Sequence, residues 1–188
     1  MGLGNPGREH ARTRHNVGFM VAEALSERWG LGRAKQRFRG LISEGRVRLG
    51  DSGESASVAL LRPQTYMNDA GRSVGPARGA LKVALERVLV VHDEIDLPFG
   101  EVRSRRGGGL AGHNGLKSIK RELGSADFAR VRVGVGRPDS TDPEIVSAYV
   151  LSRFAEDPER VRELIERAAD EVEAVLLEQH AELAIGEG

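Results

Sequence analysis

The chain carries five histidines and no cysteine, which excludes thiolate catalysis, disulfides and Cys-based zinc sites. Three short spacings match chemical patterns. Gly2-x-Gly4-x-x-Gly7 reproduces the dinucleotide-binding fingerprint, and Gly71-x-Ser73-x-Gly75 the nucleophile elbow of serine hydrolases, with Ser73, Asp93 and His113 following in hydrolase order. HDEID (92–96) is a run of metal-ligand types. Each pattern has a structural requirement. The fingerprint needs a strand before its first glycine, a helix at its last and an acid ~20 residues on at a strand end. Here only Met1 precedes Gly2, the polar REHARTRH follows Gly7, Glu23 and Glu27 lie on the polar side of a helix, and Pro6 removes a loop donor. The elbow needs a strand running directly into its serine, whereas TYMNDAG (65–71) before Ser73 is turn and helix-cap chemistry. The HDEID side chains alternate faces of an extended segment and do not converge on one ion. Neither a nucleotide cofactor nor a metal is expected.

What remains is a set of polar residues at the edges of elements: Asn5, His15, Asn68, Asp93, His113 and Asn114. In an open α/β sheet the carboxyl ends of strands and the adjoining loops form the ligand crevice. Singly, each has a plainer reading, with Asn16 and Asn68 as N-caps and His113 as a satisfied surface residue.

Periodicity outlines the elements that must position them. From Asn16 the apolar Val17, Met20, Val21, Ala24, Leu25 and Trp29 share one helical face, and Gly30 is a natural stop. Residues 38–49 and 56–61 read as strands around the polar turn GDSGES. A loose helix follows Asn68, with Gly71, Gly75 and Gly79 inside it and a kink at Pro76. RVLVVH (87–92) is an apolar run of the kind buried in parallel sheets. Residues 101–106 form a short strand, GGGLAG (107–112) a flexible loop and HNGLKSIKREL (113–123) a helix. FARVRVGVG (128–136) alternates as a half-exposed strand does, and 158–182 is a long amphipathic helix. With 188 residues and no linker or repeat, the expectation is one α/β domain. Its sheet should be twisted, mixed and mostly parallel, with helices on both faces.

The net charge is zero, but residues 1–50 hold 10 basic and 4 acidic side chains, 101–137 hold 9 and 3, and 151–188 hold 4 and 11. Basic segments rich in arginine suit a polyanion, although they equally suit a solvated surface. No apolar run approaches the ~20 residues of a membrane span and no signal peptide precedes the polar start, so the expected address is the cytoplasm. A monomer without an obligatory protein partner is expected, because the helices show no second apolar stripe.

Taken together, GLGNPG (2–7), TRHNVGF (13–19), TYMN (65–68), HDEIDLPFG (92–100), GGGLAGHNGLKSI (107–119), RVRVGVGRP (130–138) and YVLSRF (149–154) resemble the bacterial peptidyl-tRNA hydrolase family. They stand in its order and at its spacings over nearly the whole chain. The resemblance implies hydrolysis of the ester between a peptide's C-terminus and the terminal ribose of tRNA, without metal or cofactor. That reaction frees tRNA from peptides dropped by stalled ribosomes. It implies His15 as general base, Asp93 as the acid that holds its tautomer, and Asn5 as the group orienting the water or the carbonyl. Asn68 and Asn114 would hold the peptide backbone, Tyr66 and Met67 would line the adjacent groove, and His113 would border it. Arg103, Arg105 and Arg132 stand where the family contacts the tRNA 5′-phosphate, and GGGLAG would be a mobile lid. Gly4, Pro6 and Gly7 then shape a tight loop that aims Asn5.

The chain departs from the family pattern at three places. Only Met1 stands where the family has an apolar first strand, so a truncated strand or an upstream native start is expected. His10 replaces a tyrosine near the substrate. Ala111 replaces a lid glycine, tolerable unless its φ is positive. The competing readings are a serine hydrolase using Ser73 and a tRNA-binding relative without catalysis.

Overall fold

The computed structural model describes residues 1–49 and 54–186; the expected turn at 50–55 falls largely outside them. Strands β1 (Lys35–Arg37), β2 (Gly40–Leu49) and β3 (Glu54–Pro63) form an antiparallel ladder in that order. Strands β4 (Leu89–Glu94), β5 (Val102–Arg106) and β6 (Ala129–Gly134) form a second, ordered β4-β6-β5, with β4 and β6 parallel and β5 and β6 antiparallel. Met1–Leu3 lies between them. The Gly2 N–H donates to the Leu61 carbonyl of β3 (3.1 Å), while Val91 of β4 donates to Met1 and accepts from Leu3 (2.9 Å each). The sheet is mixed, as expected, but parallel pairing is confined to β4–β6 and the Gly2–Val91 bridge. Connections as short as those joining β1, β2 and β3 make antiparallel neighbours only.

Both faces are covered. Leu89 and Val91 of β4 pack with helices α1 (Val17–Arg28) and α5 (Pro158–Gly186). Val90, with Leu3, packs on the other face against α2 (Gly71–Leu81) and α3 (Asn114–Leu123). All six β4 residues are buried, which is why this strand reads as an uninterrupted apolar run up to His92. It ends two residues later than expected, so Asp93 sits inside the strand rather than after it.

The opening glycines serve close packing. A Cβ on Gly2 would overlap the Gly18 carbonyl, and one on Gly18 would overlap Val91 and Leu3, so α1 lies directly on the first strand. The Phe19 N–H caps the Leu3 carbonyl at 3.1 Å. This first-turn N–H of α1 is spent on the strand rather than left for a phosphate, which counts against the dinucleotide-fingerprint reading. The acidic tail finds local partners: Arg28 on α1 pairs with Glu166 (2.5 Å), Asp170 (2.7 Å) and Glu173 (2.9 Å) on α5.

Two elements were not expected. Helix α4 (Pro143–Val150) starts with Asp142 accepting from the Glu144 N–H at 2.8 Å and Pro143 in its first turn. Strand β1 turns into β2 through Phe38 and Arg39, both in the left-handed region (φ 55° and 52°) without glycine.

Candidate active site

The end of β4 and the turn before α1 bring together three side chains from distant parts of the chain. His15 Nδ1 lies 2.9 and 3.0 Å from the two Asp93 oxygens, and His113 Nε2 lies 2.9 Å from Asp93 Oδ1. The His15 and His113 rings are 5.0 Å apart, tilted by 38°. Asp93 is buried. Burial alone would raise its carboxyl; the charges and N–H bonds of His15 and His113 outweigh that and hold it well below the usual carboxylate range. Burial pulls His15 down, but the charge and hydrogen bond of Asp93 overcome it, so His15 titrates above its ordinary 6.5.

An ionised carboxylate only accepts, so His15 donates from Nδ1 and its neutral form keeps the Nε2 lone pair. His113 is fixed differently. It is the N-cap of α3, and its Nδ1 accepts from the N–H groups of Gly115 (3.2 Å) and Leu116 (3.4 Å). Its Nε2 therefore carries the proton that goes to Asp93, and both its nitrogens are committed. Of the two imidazoles on Asp93, His15 is the one that keeps a nitrogen without a hydrogen-bond partner. The ligand atoms of His15, Asp93 and His113 do lie within 4.8 Å of one another, as a metal set would. A cation there would have to displace the Nε2 proton of His113 or break its cap, so the donor chemistry fits a hydrogen-bonded relay better than a metal.

Asn5 lies just past Leu3 and is bonded to Asn16, the neighbour of His15. Its Oδ1 accepts from the Met67 N–H at 2.8 Å, which leaves the Nδ2 donors as its free end. Asn16 holds it there: its Oδ1 accepts from the Asn5 N–H and its Nδ2 donates to the Asn5 carbonyl, both at 2.9 Å. Asn16 is thus a brace and makes no side-chain cap on α1. Next to His15, Arg14 is buried and donates to Ser152 Oγ (2.8 Å), the Arg153 carbonyl (2.5 Å) and Glu156 (3.2 Å), with Tyr149 stacked 4.3 Å from its guanidinium carbon. This contact explains YVLSRF, a stretch far from the His15–Asp93–His113 cluster in sequence. Sequence reading did not single out Arg14 and took Asn16 as an N-cap, although both lie in TRHNVGF beside His15.

The other candidates divide. Tyr66 is 65% exposed, and Asn68 and Asn114 are exposed. Asn68 lies inside a 3-10 turn (Met67–Asp69) and is not an N-cap. Met67 is buried in the core and does not line a groove; it offers the site only its main-chain N–H. His10 sits in the turn after Gly7, its ring nearest Glu9 at 3.9 Å. Ser73 is fully buried in α2, and its Oγ has no hydrogen-bond partner, so no base activates it and the serine-hydrolase reading fails. The HDEID run does not converge either. Buried His92 donates to the Asp93 carbonyl (2.7 Å) and is pushed down to about 3 by burial, then by His113. Glu94 binds Arg132 (3.0 Å) and Asp96 binds Arg137 (2.9 Å).

Beside this site, β5 and β6 line up arginines in register, Arg103 opposite Arg132 and Arg105 opposite Arg130. Arg103 and Arg105 are exposed on β5 and Arg132 is half-buried on the neighbouring β6, so these three lie on one face of the ladder. The 107–112 loop runs from this edge to His113. It is tied down rather than loose: the Gly107 N–H donates to Phe128, Leu110 accepts from His113 (2.9 Å), and Arg130 donates to Gly107 and Gly109. Ala111 has φ 47°, the left-handed conformation that its side chain tolerates poorly.

A family model described as peptidyl-tRNA hydrolase matches residues 1–186. A peptidyl-tRNA hydrolase of Mycobacterium sp. (strain KMS) is 48% identical over 179 residues, covering 94% of this chain and 88% of the relative. One of Syntrophotalea carbinolica is 44% identical over 188 residues, covering 100% and 94%. A crystal structure of peptidyl-tRNA hydrolase from Acinetobacter baumannii superposes with a TM-score of 0.81 at 37% identity, covering 97% of this chain and 88% of that one.

Proposed function

Because the chain belongs to the peptidyl-tRNA hydrolase family, an ester-hydrolase family, we propose that it cleaves peptidyl-tRNA with His15 as general base and a water as nucleophile. The observation that carries this reading is the unequal state of the two imidazoles on Asp93. His113 has no free nitrogen, while His15 keeps Nε2 unprotonated beside a buried, ionised carboxylate. His15 Nε2 takes a proton from water as the water oxygen bonds to the ester carbonyl carbon, and Asp93 stabilises the imidazolium that forms. The carbonyl oxygen becomes an oxyanion, which the Nδ2 donors of Asn5 are free to meet. Collapse breaks the bond to the ribose oxygen, which leaves with the proton from His15. An ester needs less activation than an amide, so no covalent intermediate on the protein is required.

Asn68 and Asn114 are placed to bond the main chain of the peptide, whose sequence varies, because amides both donate and accept. Arg103, Arg105 and Arg132 are the group for the 5′-phosphate of the tRNA, a contact that anchors without reading bases. The test is release of N-acetylated amino acid from N-acetyl-aminoacyl-tRNA by wild-type protein in excess EDTA. The reading expects multiple turnovers; binding of the tRNA with no release would favour the non-catalytic alternative.

A further inference from the structure

Among the arginines of β5 and β6, Arg130 is the odd one. It is 2% exposed, while Arg103, Arg105 and Arg106 on the partner strand point to solvent. Of these buried donors, Nη1 bonds the Gly109 carbonyl at 2.9 Å, Nη2 bonds the Gly107 carbonyl, and Nε has no partner. It has no carboxylate within ion-pair distance among the described residues; the nearby Glu94 bonds Arg132 instead. Placing a guanidinium there is costly, since burial opposes its charge and Arg105 and Arg132 repel it. An apolar residue would satisfy the strand better, so its two bonds to the loop are what the site gains.

Arg105, directly across the ladder from Arg130, touches the same loop. A Cβ on Gly108 would overlap its guanidinium, so the exposed arginine of the phosphate group lies flat on that glycine. The loop winds through positive φ at Gly107 (61°), Gly108 (82°), Ala111 (47°) and Gly112 (75°). Four left-handed residues in so short a stretch make a conformation that depends on its anchors. It then delivers His113, whose N–H closes on Leu110 and whose ring holds Asp93.

We propose that Arg130 is a positioning residue that couples phosphate binding on Arg105 and Arg132 to the catalytic Asp93–His15 pair, through the 107–112 loop and His113. This rests on the function proposed above. A phosphate drawn onto Arg105 changes the contact of that side chain with Gly108. Arg130 keeps the two flanking carbonyls fixed, so the change reaches His113 and Asn114 instead of dissipating within the loop.

The test compares N-acetyl-aminoacyl-tRNA bearing a 5′-phosphate with the same substrate bearing a 5′-hydroxyl, for wild type, Arg130→Gln, Arg130→Lys and Gly108→Ala. In the wild type, the phosphate should raise kcat about tenfold, within the ~5–150-fold span of coupled sites. In all three variants the ratio of the two kcat values should fall toward one, while in the two Arg130 variants KM for the 5′-phosphate substrate changes less than about threefold. Lysine keeps the charge but does not fork to both carbonyls, and Gly108→Ala leaves Arg130 untouched, so a folding defect of one variant does not decide the matter. A merely structural Arg130 would lower both kcat values together and preserve their ratio. That result, or a wild-type phosphate effect on KM alone, overturns the proposal. Hydrogen exchange of the 107–113 amides with a deacylated acceptor-stem minihelix gives a second readout that needs no turnover. Protection should depend on the 5′-phosphate in the wild type and lose that dependence in Arg130→Gln. If the wild type does not hydrolyse the substrate, the proposed function fails, while the exchange measurement still decides the coupling.

Discussion

Replacing Asp93 by asparagine probes the relay with almost no change of shape. Oδ1 accepts from both His15 Nδ1 and His113 Nε2 at 2.9 Å, and Oδ2 accepts from His15 alone at 3.0 Å. An amide oriented with its oxygen in the Oδ1 place preserves the His113 bond, because His113 is locked by its cap to donate. Its NH2 group then faces His15 Nδ1 donor to donor. The relief is a switch of His15 to the Nε2–H tautomer, which removes the lone pair that the base uses. The imidazolium formed on proton transfer also loses its counter-charge. Both effects act on kcat, and together they are expected to cost about 10⁴-fold, the size seen when a triad acid becomes an amide, or roughly 5.5 kcal/mol. The pH profile should move as well. The base works only when neutral, so activity rises as pH climbs through the His15 pKa, which Asp93 holds above 6.5. In Asp93→Asn the midpoint of the residual activity should fall. Single-turnover hydrolysis from pH 5 to 9, with His15 Cε1–H shifts followed by NMR, measures both. A loss below about tenfold with an unmoved midpoint would refute the tautomer reasoning.

Other substitutions separate the parts of the site. Ser73→Ala should leave turnover unchanged and stability equal or higher by about 1 kcal/mol, since it deletes a buried hydroxyl without a partner; thermal melts and steady-state rates check this. Asn5→Asp keeps an acceptor for the Met67 N–H but removes the free donor, so it should keep the fold and lose ~10²–10³ in kcat, read by stopped-time product release. Arg103→Gln should weaken tRNA binding equally for different acceptor sequences and lower the slope of log K against log salt by about one, read by binding titrations at several salt concentrations.

The helices α1, α3 and α5 were legible because each carries a long apolar stripe, and the β4 run because both its faces are buried. Helix α4 escaped notice because it is only eight residues long and fully buries none of them; its Asp142-Pro143 start was the available signal. The edge strand β1 is exposed throughout and has no pattern to read. The motif residues His15, Asp93, Asn5 and His113 could be named from the sequence, but not their states. That His113 is capped by main-chain N–H groups, that Asn5 has only its donors free, and that Met67 is buried depend on contacts between segments more than 50 residues apart or on one helix end. Arg130 and Arg132 look alike in RVRVGVG and, two residues apart, share one face of β6, yet the 107–109 carbonyls sit on the first and leave the second half-exposed.

The most direct measurement is single-turnover hydrolysis of N-acetyl-aminoacyl-tRNA by wild type and His15→Ala, side by side in excess EDTA. The account predicts that the wild type turns over without added metal and that the variant binds the tRNA normally but loses ~10²–10⁴ in rate. A variant that hydrolyses the ester as fast as the wild type would contradict it.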